Sequence, residues 1–477
     1  MVERRTKIVA TIGPATGTRE GIAALVAAGI DVARLNFSHG DAGTHARWAS
    51  WVHQAAEEAG RPVAVLQDIQ GPRIRIGSFP GGSVELAEGD TVVLVDGEGE
   101  GNASRIPVSG LSEAGLVAGS RVALSDGVIL LEVTAGSGGE VAARVLQGGE
   151  ARDRVGAAFP DADLRLPAVT PKDREDLAIG MEIGVDLVAA SFVTGAADIE
   201  AVRRVVGETP VVAKIERARA YQNLDEILAA ADGAMVARGD LGVEVGYERL
   251  TLAQKDILRR ANRAGRISIT ATEMLESMTA SRRPTRAEAT DVANAVLDGT
   301  DAVMLSAETA IGRYPVRAVQ VMDALCREIE ASDEYWAGQD VAMVDWPAPF
   351  SSAIAKACAD AADRLGLKTA VAFTESGMTA LLVSKYRPRA RIVAFTPDDR
   401  TYRRMALMWG VAPLRSERLD STDGMIRAAD RMLRERGMVS AGEWVAMAAG
   451  VPPNRRASTN TLKLHVIGDP AAADPGD

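Results

Sequence analysis

The sequence predicts an α/β protein: a closed (β/α)8 barrel, an inserted small β-barrel domain, and an open α/β domain at the C-terminal end. Three observations predict it. Short β-branched runs alternate with longer Ala/Leu-rich amphipathic stretches, the pattern of βα units around a parallel sheet. Eight such units occupy roughly 250 residues, the arithmetic of a closed barrel. One long stretch within them, from about Gly71 to Gly156, loses the helical period altogether.

In order along the chain, the barrel strands are expected at 7–11, 31–35, 63–67, 185–190, 211–214, 233–237, 266–270 and 301–305. Helical patterns such as 19–28, 251–264 and 286–297 follow them. The barrel therefore comprises residues 1–70 and 157–335. Residues 71–156 read as short alternating strands between glycine turns at 81–82, 97–101, 136–139 and 148–149. An insertion of this kind in a βα loop is tolerated and sits where lids sit. After about Asp333 a low-pattern linker carries Trp346-Pro347-Ala348-Pro349. Residues 345–477 then form a third domain, with a helix at 351–365, a strand at 369–373, a helix at 378–386, a strand at 391–395 and a last strand at 462–467.

Composition narrows the function. The 477 residues are 47% hydrophobic and 25% charged, enough to bury several cores. A net charge of -11 and a pI near 5.2 exclude nucleic acid and anionic membrane as the main partners. An anionic substrate must then find a local basic pocket. No apolar run reaches the about 18 residues of a membrane span, and the first residues pass directly into a strand-like segment, so a cytoplasmic location is expected. The two cysteines, Cys326 and Cys358, lie in helical patterns and read as buried free thiols.

Barrel enzymes keep their reacting groups at the C-terminal ends of the strands. Here the second strand leads into Arg34, Asn36, Ser38 and His39, and the third into Asp68. Ser191 follows the fourth, Lys214 and Glu216 the fifth, Arg238 and Asp240 the sixth, Thr272 the seventh, and Ser306 with Glu308 the eighth. A barrel without chemistry tolerates plain turn residues at those places. Lys214 and Glu216 stand two apart, so both project to one side of their strand; a solvated surface ion pair is the plainer alternative. The run 237–242, Ala-Arg-Gly-Asp-Leu-Gly, is either a bare turn or a tight glycine turn whose backbone N–H groups could meet an anion, with Asp240 facing the pocket. Glu216 and Asp240 together offer two hard oxygen ligands, the usual protein share of a Mg²⁺ site. With Lys214 they would neutralise a phosphoryl group in transfer. Arg34 and Arg75 could clamp phosphates from the lid side.

In the third domain, Thr374, Ser376, Gly377 and Thr379 join a strand to a helix start, which is either an N-cap or an anion cradle. Arg455 and Arg456, before the last strand, belong to a solvated basic loop or supply that cradle's counter-charge.

Longer motifs carry a family resemblance. Residues 6–14 (TKIVATIGP), 32–40 (VARLNFSHG), 214–216 (KIE), 235–243 (MVARGDLGV), 274–278 (MLESM), 284–288 (PTRAE) and 291–299 (DVANAVLDG) resemble the signatures of pyruvate kinases. The resemblance spans all three predicted domains. It implies a TIM-barrel enzyme passing the phosphoryl group of phosphoenolpyruvate to ADP, giving pyruvate and ATP in glycolysis. It implies that Lys214 stabilises the transferring phosphoryl group, that Glu216 and Asp240 bind Mg²⁺ or Mn²⁺, and that Arg34 and Arg75 contact nucleotide or phosphoryl oxygens. Thr272, with ordered water, is implied at the point where the enolate of pyruvate is protonated. Lys172, in 166–173 (LPAVTPKD), matches a nucleotide-contacting position, and Asn36, Ser191 and Gly239 fall in the substrate region. The family is usually homotetrameric and often carries an allosteric phosphate site matching 374–379.

Three departures stand out. Where the family commonly has Asp-Thr-Lys-Gly-Pro-Glu, residues 68–73 read Asp-Ile-Gln-Gly-Pro-Arg. Many members hold K⁺ at positions matching Asn36, Ser38, Asp68 and a threonine, here Ile69. The isoleucine lacks a side-chain oxygen and Arg73 replaces a glutamate, so the expectation is a K⁺-independent enzyme with Arg73 supplying the charge. Glu273 replaces a usual glutamine and Ala307 a usual glycine; an extra carboxylate beside Thr272 either alters proton delivery or pairs with an arginine. Two other functions share parts of the pattern. One is a Mg²⁺-dependent C–C lyase acting through pyruvate enolate, and the other a non-catalytic sensor of phosphorylated metabolites.

Overall fold

The computed structural model describes residues 3–469 apart from 138, 163–165, 168, 339–344, 346, 348 and 454–458. Eight strands form the barrel: β1 (Lys7–Ile12), β2 (Val32–Asn36), β3 (Ala64–Asp68), β4 (Leu187–Ala190), β5 (Val211–Ile215), β6 (Gly233–Ala237), β7 (Ile267–Ala271) and β8 (Ala302–Leu305). Each pairs in parallel with its neighbours in sequence, and β8 returns to β1 with Lys7 opposite Ala302, so the ring is closed. The strands are buried on both faces, which is why they read as unbroken apolar runs. Alternation still sorts them. Ile8, Ala10 and Ile12 pack outward against the helices, while Val9 joins the interior with Val32, Leu66, Val212 and Met235.

Helix starts follow from local chemistry. Thr170 and Asp173 cap Pro171–Ile183 reciprocally, with Pro171 in the first turn. The Asp173 carboxylate also accepts from the Gly71 amide at 2.9 Å, pinning the chain where it leaves the barrel. Gly71 has φ 68, and a Cβ there would stand 2.9 Å from the Ser191 carbonyl oxygen. Only glycine fits.

The inserted segment forms a six-stranded sheet and a two-stranded sheet around its own apolar core. Ala157–Ala158 pairs with Arg121–Leu124, and Phe159 is part of that core, so the insert runs slightly past the return at 156 that the glycine turns predict. Its turn at Ser125, Asp126 and Gly127, with φ of 52, 54 and 87, reaches over the barrel mouth. A Cβ on Gly127 would lie 3.1 Å from Val243 on the helix Arg238–Val245.

The C-terminal sheet contains β9 (Thr369–Phe373), β10 (Arg391–Thr396), β11 (Val411–Arg415), β12 (Trp444–Ala449) and β13 (Thr461–Val466). Its order is β11-β10-β9-β12-β13, parallel except for the antiparallel last pair. It docks on the N-terminal end of the barrel, where Lys7 Nζ donates to the Val411 carbonyl at 2.8 Å and Arg403 pairs with Asp186 at 2.7 Å. The linker expected from about 333 begins instead with a short helix, Asp333–Ala337. Ser332 caps it and Tyr335 is buried, while the Arg5 guanidinium lies 5.0 and 5.4 Å from the rings of Trp336 and Trp409. Packing between domains makes this helix, and no periodicity in so short a piece could announce it.

Candidate active site

Inward-facing residues at the C-terminal ends of β1, β2, β3 and β5 converge. Arg34 donates through Nε to Asp68 Oδ2 at 2.7 Å and through Nη1 to Thr11 Oγ1 at 2.9 Å. Lys214 Nζ lies 2.7 Å from Ser191 Oγ, 2.8 Å from Glu216 Oε1 and 3.3 Å from Asp68 Oδ1. The other Glu216 oxygen accepts from the Phe192 amide at 2.7 Å. This is no solvated surface pair: the Lys214 and Glu216 side chains are 12% and 2% exposed.

Charge balance follows from burial. Burial alone would raise the Asp68 carboxyl, but Lys214 and Arg34 beside it hold it below the usual range. Burial would likewise lower Lys214, and the carboxylates of Asp68 and Glu216 outweigh it, so its ammonium holds its proton more tightly than usual. Glu216 is pushed up by burial despite Lys214. Asp240, in the first turn of Arg238–Val245, is also pushed up by burial, against the pull of Lys214 and Arg73. Among the described residues the Asp240 carboxylate has no hydrogen bond or ion pair, and it borders the same cleft as Glu216, Arg73 and Asp126. Two hard oxygen donors, buried enough to resist ionisation and one of them unpartnered, fit a divalent cation.

At the end of β7, Thr272 and Glu273 adopt φ of 66 and 51. Two successive non-glycine residues there cost about 1–3 kcal/mol each. Thr272 Oγ1 accepts from the Gly239 amide at 2.9 Å and donates to the Ala271 carbonyl at 2.6 Å. The Gly239 amide is thus engaged by Thr272 rather than free for an anion.

Several expectations need correcting. Arg238 is turned from the pocket and buried, bonding the carbonyls of Ala271 and Thr272 and pairing with Asp291. Glu308 is likewise buried, accepting from the amides of Leu275 and Ser306 at 2.9 and 2.7 Å. Ile69 packs outward into the barrel–helix layer because Asp68, its neighbour in the strand, points inward. Its side chain therefore takes no oxygen away from the pocket; only its carbonyl, which accepts from Ser191 Oγ at 2.7 Å, faces that way. Arg73 makes no hydrogen bond or ion pair with Asn36, Ser38 or Asp68. It stands in the cleft with Glu216 and Asp240, 3.7 Å from Asp126.

The remaining residues are placed as follows. Asn36 lies opposite Asp68 in the β2–β3 register, and its Oδ1 accepts from the Ser38 amide at 3.1 Å. Lys172 pairs with Asp176 and donates to the Phe37 carbonyl at 3.0 Å. Arg75 donates to the Arg154 carbonyl at 2.9 Å on the lid side. In the C-terminal domain, Thr374 Oγ1 accepts from the Gly377 amide at 2.9 Å, Thr379 and Thr459 hydroxyls meet at 2.8 Å, and Ser376 is exposed. Arg455 and Arg456 lie outside the described residues. Sequence reasoning missed Thr11, which braces Arg34, and Asp126, which borders the cleft. Counting alternate positions from Val9 would have found the first; nothing local signals the second.

Comparison with known proteins shows the family. The family model for the barrel domain of pyruvate kinase matches residues 3–319, and that for its alpha/beta domain matches 352–465. The pyruvate kinase of Geobacillus stearothermophilus is 42% identical over all of this chain and 82% of its own length. That of Mycobacterium tuberculosis is 42% identical over 98% of this chain and 99% of its own, and that of Corynebacterium glutamicum 39% identical over 98% of each. With both domain models matched in order around a closed barrel, this chain belongs to the pyruvate kinase family.

Proposed function

We infer that the chain works as a phosphotransferase, taking the phosphoryl group of phosphoenolpyruvate to ADP and releasing pyruvate and ATP. One observation carries this reading: a buried ammonium, Lys214, stands 2.8 Å from Glu216 at a mouth that Asp240 also borders. In this reading Lys214 neutralises charge on the phosphoryl oxygens in transfer, and Arg34, braced by Asp68 and Thr11, orients them. Glu216 and Asp240 would hold the divalent metal, Mg²⁺ or Mn²⁺, which when bound supplies Lewis-acid stabilisation of phosphoryl and enolate oxygens. Thr272, with water, delivers the proton that turns enolate into pyruvate. Arg75 and Lys172 serve the nucleotide, and 71–156 acts as a lid. A sensor would not need so costly a buried charge cluster, and a C–C lyase would not need Lys214 or the lid. Formation of ATP from phosphoenolpyruvate and ADP in a coupled assay tests the reading, and its absence from a metal-loaded enzyme ends it.

The metal site should be sensitive to acid. Glu216 and Asp240 must both ionise to bind metal, and burial raises both. Affinity should therefore begin to fall at a higher pH than the about 4 of free carboxyls. Mn²⁺ titration followed by electron paramagnetic resonance checks this; an affinity flat down to about pH 4 contradicts it.

Independence from K⁺ is also proposed, resting on the Arg73 charge that shares the cleft with Asp240 rather than on Ile69. Turnover with K⁺ replaced by tetramethylammonium should stay within about tenfold, some 1.4 kcal/mol in barrier. A larger drop overturns the idea, and Arg73→Glu should introduce the dependence.

The 345–477 domain is proposed as regulatory, with an anionic effector at Thr374, Ser376, Gly377 and Thr379 and a homotetrameric assembly. In a thermal-shift panel of phosphorylated metabolites, at least one should stabilise wild type and fail to stabilise Ser376→Asp. A panel without such a compound refutes it. The two free, buried cysteines suit a reducing cytoplasm.

A further inference from the structure

The exit of β7 is held from both sides by buried side chains. Arg238 Nη2 donates to the Thr272 carbonyl at 2.6 Å, and Nε to the Ala271 carbonyl at 3.1 Å. Its remaining arm pairs with Asp291 on the helix Arg286–Leu297, and Met274 Sδ lies 2.9 Å from Nη2. Across the loop, Glu308 accepts from the Leu275 amide. The pair of left-handed residues at 272 and 273 persists because these groups over-determine it.

The Ala271 carbonyl is the point that matters. It accepts the Thr272 hydroxyl at 2.6 Å and the Arg238 guanidinium at 3.1 Å together. A carbonyl shared with a cation is a weaker acceptor for the hydroxyl, so the Thr272 proton is more readily released to another partner. The neighbouring amide, Gly239 N–H, donates to the hydroxyl oxygen and holds it one residue from Asp240. One short segment, Arg238-Gly239, thus fixes the position of the Thr272 oxygen and the pull on its proton.

We propose that Arg238 is a positioning residue for enolate protonation, acting through the Ala271 and Thr272 carbonyls on the Thr272 hydroxyl and separately from phosphoryl transfer at Lys214. In that step a C–H bond forms at the enolate carbon, the proton comes from the Thr272–water relay, and solvent restores it. No oxidant or further reactant is required. The inference rests on the role proposed above for Thr272.

The test uses the metal-loaded full chain and measures deuterium uptake from D2O into the methyl group of pyruvate, beside turnover, the KM for phosphoenolpyruvate and Mn²⁺ affinity. Arg238→Gln should slow methyl exchange by roughly tenfold or more, with KM and Mn²⁺ affinity changed by less than about threefold. Arg238→Lys should not rescue it, because Ala271, Thr272 and Asp291 are met by three different nitrogens of a planar fork that a single ammonium nitrogen cannot span. Asp291→Asn, which leaves Arg238 on its carbonyls without an anchor, should show an intermediate loss and stands in if Arg238→Gln does not fold. Exchange intact in both Arg238→Gln and Asp291→Asn, but lost in Thr272→Ala, overturns the inference alone. Exchange intact in Thr272→Ala overturns the Thr272 reading and the inference with it. Exchange and Mn²⁺ affinity falling together in Arg238→Gln also overturns it, since the loop would then be acting on the metal site as a whole.

Discussion

Replacing Lys214 by methionine is expected to cut turnover by roughly 10³-fold, with the KM for phosphoenolpyruvate changed much less. Methionine keeps the stem of the side chain and removes the ammonium, so the loss reports charge rather than shape. The charge does two jobs. In the function proposed above it faces the transferring group, and in the fold it offsets the buried carboxylates of Asp68 and Glu216. Asp68 keeps Arg34 at 2.7 Å, but Glu216 loses its cation, and a buried carboxylate left so costs about 3–5 kcal/mol of stability. The pH dependence separates the two. Lys214 has its pKa raised in the fold, so its contribution is complete below the about 10.4 of an unfolded lysine and is lost as pH climbs through the folded value. Asp68 is depressed, so its contribution is present above about 3.9 and lost as pH falls through its folded value. The stability gap between wild type and variant should be widest on the plateau between. A Lys214→Met enzyme retaining turnover within about tenfold would remove the lysine from the mechanism.

An equally large expected effect on stability lies at the opposite end of the barrel. Lys385 belongs to the helix Met378–Lys385 of the C-terminal domain, yet its side chain is 0% exposed, paired with Asp301 at the start of β8 and bonded to Asn262 Oδ1 at 2.8 Å. Arg387 completes the site at 2.8 Å from the other Asp301 oxygen, and the Ser268 amide donates to the carboxylate at 2.7 Å. Burial would raise Asp301, but Lys385 and Arg387 hold it low. Lys385→Ala should cost about 3–5 kcal/mol, because it strands part of a buried charge. Urea denaturation followed at the domain junction measures it. Turnover of the folded fraction should stay within about twofold, since catalysis belongs to the opposite face of such barrels. A variant as stable as wild type would show that Arg387 alone satisfies Asp301.

How much of this was legible differs from residue to residue. Lys214 and Glu216 could be paired from the sequence because strand alternation is strictly two-fold, and the structure places them 2.8 Å apart. The same rule, applied to Asp68 and Ile69, would have turned the isoleucine outward; reading the motif by type instead of by face put its side chain at the pocket. Arg238 and Glu308 were visible as polar strand ends, but a polar residue beside a pocket can face substrate or brace a neighbouring loop. The choice depends on where carbonyls from another strand lie. Asp126 had no local signal, since it reaches the cleft only through a turn of the inserted domain.

The sequence by itself determined the eight βα units, the interruption after β3, the separate C-terminal sheet and the charged groups at the strand ends. Each of these rests on local periodicity or on chemistry carried by adjacent residues. Only the tertiary structure decided which charged groups meet. The cluster of Arg34, Asp68, Lys214 and Glu216, the Arg238 brace and the Lys385–Asp301 lock join residues from different strands and domains. Burial and distance set the strength of such contacts, and both arise only when the ring closes.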